Sequence, residues 1–362
     1  MNSSDNMNGT LANLKARNAA QETYPLPLRS PEEVIFEIVV GCILMFLGIT
    51  GNGLVCYVIS QSRYTRSSMY FFLIQLAIAD ILVCSVSIPL TLVSTQPRPL
   101  LLLQSDISCK TVRFIQYLLP PASVSILTAT AADRFLHICY PLRFLNGARK
   151  IKFLAICSWL YAAILTIPVL YLISARPVLL NNKVYQFCAI KETSRDEKLG
   201  SIYLTVRGIL GLFIPLVIII ILYYKIVKTV WKRKTIRSRM RRNVIKSLTM
   251  VVVAFFLSWS PFSIISKYSI LVEKRYDSVS RAEIITFWIG LTASVYNPLI
   301  YAFYNKNFRD AFSELVLHRN TTKKTFAFHP PEMSLRKLAI TSRIPDIKTG
   351  TPISLKYAAK LT

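Results

Sequence analysis

The apolar residues of this chain are gathered into long runs separated by short polar segments. A helix needs about 20 apolar residues to cross a hydrocarbon core, and seven runs reach that length. They predict spans over residues 34–60, 68–94, 107–140, 153–175, 202–231, 244–272 and 284–304. A soluble core would scatter these residues instead. Pro120 and Pro121 interrupt the third run, since each denies an amide donor to a helix. The fold class is therefore an all-α membrane protein, a seven-transmembrane helix bundle.

Two polar segments carry patterns of their own. Residues 305–317 place Phe308, Phe312 and Leu315 or Val316 on one side, with Lys306, Arg309 and Asp310 elsewhere. That pattern predicts an amphipathic eighth helix lying in the membrane interface. Val178 to Ile190 reads as two short apolar runs around Asn181-Asn182-Lys183, which predicts a β-hairpin over the bundle mouth. The organisation is then an extracellular N-terminus (1–33), a seven-span bundle with its interfacial helix (34–317) and a cytoplasmic tail (318–362). No repeat of solenoid period is present, so function resides in the bundle and its loops.

Composition agrees with a membrane class: 53% of residues are hydrophobic and 17% charged, with a mean hydropathy of +0.43. The net charge of +26 raises nucleic acid as a partner. The basic residues sit between apolar spans rather than on one soluble face, so that partner is excluded. Arg63 and Arg66 follow the first run, Arg143, Arg149, Lys150 and Lys152 the third, and an acid-free stretch from Lys225 to Lys246 the fifth. By the positive-inside rule these segments face the cytoplasm. The opposite side mixes signs, as in Lys191, Glu192, Arg195, Asp196, Glu197 and Lys198, and seven spans then put the N-terminus outside. Glycosylation acceptors at Asn2 and Asn8 point the same way. Met1 to Ser30 contains no apolar signal core, so the first span is expected to direct insertion. Five of the seven cysteines, Cys42, Cys56, Cys84, Cys139 and Cys157, lie in or at the ends of spans. Cys109 and Cys188 fall on outside segments, where an oxidising exterior favours a bridge.

Polar residues deep in a span are costly and mark function unless they reach water or a partner. This chain carries Asn52 after Gly51, Asp80 in mid-span, Asp133-Arg134-Phe135 at an inner end, Trp159, Pro215, Ser258-Trp259-Ser260-Pro261, and Asn297-Pro298 three residues before Tyr301. One such marker in each of seven spans, in this order, resembles the rhodopsin-like (class A) G-protein-coupled receptor family over about residues 34–317. The resemblance implies a plasma-membrane receptor that is not an enzyme. It implies that an outside ligand biases a packing in which the inner end of the sixth helix swings out to admit a heterotrimeric G protein. It also implies the Cys109–Cys188 bridge.

The family likeness further assigns roles. Arg134 would contact the G protein or nearby tyrosines when active, with Asp133 as its resting partner. Phe135 departs from the commoner Tyr, and Arg241 stands where some members carry an acid that clasps the arginine; two cations cannot form that clasp, so basal activity is expected. Tyr223 and Tyr301 match tyrosines that move inward on activation. Asp80, Ser123 and Asn297 resemble a sodium pocket, although Ala293 replaces a frequent Asn; a water-filled polar seam is the plainer reading. Phe255 and Trp259 occupy the aromatic switch beside Pro261, where core packing alone would also place them.

The ligand pocket is expected between the third, fifth, sixth and seventh helices, with Arg113, Gln116, Arg207, Trp259 and Phe262 as its residues. Arg113 and Gln116 follow Cys109 by one and two turns. Gln116 stands where amine receptors carry an aspartate, which argues against a biogenic amine, and the seventh run has no lysine for retinal. An extracellular peptide is the leading ligand. The alternative is an anionic small molecule or lipid acid held by Arg113 and Arg207 together, unless Arg207 merely snorkels to headgroups. A transporter would also explain intramembrane charges, but the hydropathy has no inverted halves and no half-length re-entrant segment. Zinc-protease, serine-hydrolase and paired-aspartate motifs are all missing. No cofactor is implied beyond the candidate sodium ion. Receptor kinase and arrestin are expected at tail residues such as Thr321, Thr322, Thr341, Ser342, Thr349 and Thr351, and acidic membrane lipids or calmodulin, as well as the G protein, at Lys225 to Lys246.

Overall fold

A computed structural model describes residues 30–61, 68–95, 105–140, 148–180, 183–190, 194–232, 236–271 and 277–315. Asn2, Asn8 and the tail threonines and serine fall outside them. Among the described residues seven helices are long and apolar enough to cross a membrane, spanning Pro31–Gln61, Tyr70–Val93, Asp106–Cys139, Arg149–Leu172, Lys198–Lys232, Lys246–Tyr268 and Arg281–Tyr304. We number the helices containing them α1 to α7, and the short helix Lys306–Leu315 is α8. Neighbouring helices close a ring: α1 packs on α2, α2 on α3, α3 on α4 and α5, α5 on α6, α6 on α7, and α7 on α1.

The bundle carries a polar seam inside a largely apolar core and also presents large apolar side chains on its outside, which a soluble fold would not. Asn52, Asp80, Gln116, Asp133 and Asn297 are buried, while Phe36, Phe46, Phe153, Ile164 and Phe303 are exposed. Hydrocarbon is the medium that makes this distribution favourable.

Helix ends lie beyond the apolar runs in several places. The first helix begins at Pro31 rather than Val34. Ser30 Oγ accepts the Glu33 amide at 3.2 Å and a Glu33 carboxylate oxygen accepts the Ser30 amide at 3.0 Å, a capping box with proline in the first turn. The helices Ser194–Gly208, Ile236–Leu271 and Asp277–Leu291 likewise start before the fifth, sixth and seventh runs. A helix satisfies its own amides and can continue into water, so the apolar run marks the membrane and not the helix end.

The fourth helix ends before its apolar run does. It breaks at Ile167-Pro168, adds the turn Val169–Leu172 and gives way to strand β1, Ile173–Leu180. Residues 173–175, expected in the span, are therefore strand. β1 pairs antiparallel with β2, Lys183–Ile190, in a register running from Ile173↔Ile190 to Leu180↔Lys183. The hairpin is thus longer than the pattern around Asn181-Asn182 suggested.

Prolines shape the interior. The third helix runs unbroken from Asp106 to Cys139 through Pro120 and Pro121. Wider π turns at Val83–Ser87 and Ile209–Phe213 each precede a proline, Pro89 and Pro215. Each proline leaves a carbonyl without its helical donor, and three of those carbonyls are taken by side chains of other helices. Pro121 frees the Tyr117 carbonyl, which accepts from Arg207 Nη2 at 2.8 Å and, at a longer 3.4 Å, from the Thr166 hydroxyl. Pro298 frees the Ser294 carbonyl, which accepts from Asn52 Nδ2 at 2.8 Å. In the fifth helix the Ile214 amide bonds Ile209, five residues back. That register makes Pro215 orphan the Leu210 carbonyl, and the Tyr161 hydroxyl donates to it at 2.7 Å.

Candidate functional site

At the outer end, the third helix starts with Ser105 as its cap, the Ser105 hydroxyl accepting the Ser108 amide at 3.1 Å. Cys109 follows one turn on and forms a disulfide with Cys188 of β2, with 5.5 Å between their Cα atoms. The Ala175 amide of β1 donates to the Asp106 carboxylate at 3.2 Å. The hairpin is thereby tied twice to the mouth of the third helix.

Below it, Arg113 Nη1 donates to the Gln116 side-chain oxygen at 3.2 Å, and Gln116 Nε2 donates to the Thr91 hydroxyl at 3.0 Å. Thr91 in turn donates to the Ser87 carbonyl at 2.8 Å, within the π turn of the second helix. Gln116 is thus oriented by partners on both sides. Thr91 was invisible to sequence reasoning, because a threonine in an apolar helix ordinarily bonds its own backbone.

Arg207 is engaged with Tyr117. Its guanidinium lies over the Tyr117 ring, 4.7 Å from the centroid, besides holding the Tyr117 carbonyl. Its Nε is buried without a hydrogen-bond partner. The physical reason is Pro121: an orphaned carbonyl in a low-dielectric interior is a strong acceptor, and this arginine is its donor. Snorkelling to the outer headgroups is overturned by the same contacts.

The floor of this region is aromatic. Trp259 packs against Phe262 at 6.0 Å, Phe287 at 6.1 Å and Phe255 at 6.3 Å between centroids, and Phe262 meets Phe287 at 5.2 Å. Gly290 lies on the face of the Trp259 ring; a Cβ there would come within 2.8 Å of Cε3. Phe287 and Gly290, both on α7, were not singled out from the sequence.

In the middle of the bundle Asn297 Nδ2 donates to the Asp80 carboxylate at 2.6 Å. Ser123 is buried in α3 without a hydrogen bond to either of them. Tyr301 is buried with no partner for its hydroxyl. Its ring faces Phe308 of the short eighth helix at 6.3 Å, so the position of α8 is read directly by α7.

At the inner end Asp133 is buried and heavily partnered. Arg134 Nε donates to its Oδ2 at 2.9 Å, a second guanidinium nitrogen contacts the same oxygen, and the Ser68 hydroxyl donates to it at 2.9 Å. Arg134 also reaches Ser68. His137 Nδ1 lies 2.9 Å from the Asp133 carbonyl oxygen and 3.3 Å from its Oδ1. Ser68 and His137 extend the pair into a four-residue cluster; the i, i+4 spacing of His137 from Asp133 was the only sequence signal for it. Tyr223 is buried on the fifth helix. Arg241 belongs to the helix Ile236–Leu271, but its side chain lies outside the described residues. Among the described residues no cluster of three or more His, Cys, Asp or Glu side chains is placed to hold a metal.

Comparison with known proteins gives one family. The model of the 7 transmembrane receptor (rhodopsin family) matches residues 51–301. The human protein named Probable G-protein coupled receptor 19 is 32% identical over 295 residues, covering 78% of this chain and 68% of that protein. The human neuropeptide S receptor is 29% identical over 299 residues, 73% of this chain and 75% of its own. A QRFP-like peptide receptor of Branchiostoma floridae is 25% identical over 307 residues, 80% of each chain.

Proposed function

The chain belongs to the rhodopsin family of seven-transmembrane receptors, and from that premise we propose that it converts binding of an extracellular peptide into activation of a heterotrimeric G protein. It is a multi-pass plasma-membrane protein and not an enzyme. The observation that carries the peptide reading is the outer polar network: Gln116 is fixed between Arg113 and Thr91 and offers amide chemistry, where an amine ligand would need a carboxylate. The hairpin tethered at Cys109 and Asp106 supports it, since it supplies main-chain surface at the mouth. The names of the neuropeptide S and QRFP-like relatives support the same class.

The anionic small-molecule reading loses its main support, because it needed Arg113 and Arg207 on one ligand and Arg207 is engaged with Tyr117. Arg113, Gln116, Trp259 and Phe262 remain the proposed pocket residues, with Arg207 shaping the wall.

Signal passage follows from the polar seam. Ligand contact near Gln116 and Trp259 bears on Gly290 and Phe287, and through α7 on the Asp80–Asn297 bond, Pro298 and Tyr301. At the inner end the resting cluster of Asp133, Arg134, Ser68 and His137 must open for Arg134 to meet Tyr223 or the G protein. Asp80, with Ser123 and Asn297, is the proposed sodium site; a hard cation suits a buried carboxylate with neutral oxygen neighbours. Residues 1–33 are assigned to the exterior, 34–317 to the membrane unit and 318–362 to the cytoplasm, where receptor kinase and arrestin would act. α8 buries Phe308 and Ala311 and exposes Arg309, Asp310 and Glu314, which supports an amphipathic helix lying on the inner interface among membrane lipids.

The test is expression with separate cyclic AMP, calcium and arrestin reporters, challenged by pooled peptides and by pooled acidic metabolites. A peptide response that Arg134→Ala removes from the G-protein channels while surface binding persists supports the proposal. A response confined to acids overturns the ligand class.

A further inference from the structure

The inner end of the fifth helix, Ile214–Lys232, has two unlike faces. Ile219, Tyr223, Ile226 and Val230 are buried against the bundle. The opposite face presents Val217, Ile220, Ile221 and Tyr224, all exposed, and continues to Trp231, which is 71% exposed. At the bottom of this stripe Tyr224, Val227, Lys228, Trp231 and Lys232, all on this one helix, border an open depression of its surface.

The chemistry of this face is one-sided. A phenol hydroxyl, an indole N–H and two ammonium groups can donate, and no carboxylate is among the lining residues. Lys228 and Lys232 are four residues apart on one helix face, where like charges repel unless an anion sits between them. The floor is apolar, from Val227 and the bodies of the two aromatic rings. Tyr and Trp beside Lys is the composition of a membrane interface, and the acid-free stretch Lys225 to Lys246 puts this end in the cytoplasmic leaflet.

We propose that the exposed helix face formed by Tyr224, Val227, Lys228, Trp231 and Lys232 binds the phosphate-bearing headgroup of an anionic phospholipid of the inner leaflet, with an acyl chain lying along Val217, Ile221 and Tyr224. The proposal rests on the membrane placement and inside-positive orientation stated above. It concerns the lipid face of the fifth helix and leaves the inward face, with Tyr223 and Ile226, to the signalling change. A second copy of this chain fits this face poorly, because it would bring the same cations to the same depth. A bound headgroup would hold the inner end of the fifth helix at a fixed depth, next to the sixth.

The test is native mass spectrometry of the full chain released from phosphatidylcholine nanodiscs doped with phosphatidylserine. The wild type is expected to retain phosphatidylserine in preference to phosphatidylcholine, and soluble glycerophosphoserine to leave it in place. A lysine near an anionic surface contributes about a fivefold factor, so Lys228→Gln with Lys232→Gln should weaken retention about 25-fold. The arginine pair at the same positions should retain the lipid, and Trp231→Leu should weaken it even if the glutamine pair fails to fold. Lys246→Gln, whose ammonium lies 5.1 Å from the Tyr304 ring centroid, should change nothing. Equal retention by the glutamine pair and the wild type, equal retention of both lipids, or a second receptor copy in place of lipid would overturn the assignment. Ligand-evoked G-protein signalling measured in the same variants separates the two proposals, since lipid loss with signalling intact, or the reverse, touches only one.

Discussion

Arg207 gives the sharpest test of how prolines organise this bundle. Arg207→Met keeps the apolar stem and removes the charge. The lost charge-assisted bond to the Tyr117 carbonyl is worth about 1.5–3 kcal/mol, and the lost contact with the Tyr117 ring about 0.5–2 kcal/mol. Against this, the buried Nε without a partner no longer costs its roughly 1–3 kcal/mol. The net destabilisation should be about 1.5 kcal/mol. The cause is Pro121, so the same substitution in a Pro121→Ala background should cost much less: residue 121 then supplies the amide that the Tyr117 carbonyl lacks. A coupling of about 1.5 kcal/mol between the two sites is expected, well above what independent sites show. The assay is SDS titration of the full chain from mixed micelles, followed by far-ultraviolet ellipticity, for all four members of the cycle. Equal costs in both backgrounds would refute the account. So would a large loss of ligand affinity with stability unchanged, which would return Arg207 to the ligand.

Three further outcomes follow from the same geometry. Cys188→Ser opens a loop whose bonded cysteines are 79 positions apart; chain entropy makes this a loss of about 4.5 kcal/mol, visible as reduced surface expression and weaker peptide binding by flow cytometry. Gly290→Ala forces a methyl against the Trp259 ring and should cost about 1–3 kcal/mol by overpacking, read as a lower thermal midpoint and altered basal signalling that Trp259→Phe partly restores. Asp133→Asn removes the anion shared by Arg134, Ser68 and His137 and should raise ligand-independent G-protein signalling several-fold in reporter cells, whereas Ser68→Ala, which keeps the ion pair, should raise it less.

The residues most legible in the sequence were those whose chemistry is out of place in hydrocarbon. Asp80, Asp133, Arg134 and Asn297 stand out because a polar group at that depth needs a reason. Their nearest partners were much less legible. Ser68, Thr91 and Gly290 are residues that apolar helices use routinely, and only their position against Asp133, Gln116 and Trp259 gives them a part in the site. Arg207 was visible as an anomaly without its neighbour Tyr117, since a chain written in one dimension shows that Pro121 lacks an amide without showing which side chain will reach the carbonyl it leaves.

The sequence by itself determined the number of spans and the family, and its charges set the expected direction across the membrane; the pairing of Cys109 with Cys188 came only as an implication of the family resemblance. These depend on local quantities: the length of an apolar run, the placement of lysine and arginine between runs, and the order of a few polar markers. The tertiary structure alone decided where the helices end, where the π turns fall and which helix answers each proline. Those outcomes depend on donors and acceptors meeting across 49 to 242 residues of chain, as Tyr161 meets Leu210 and Asn52 meets Ser294. Inside a membrane an orphaned carbonyl has little water to turn to, so the packing that supplies its donor is the packing that survives.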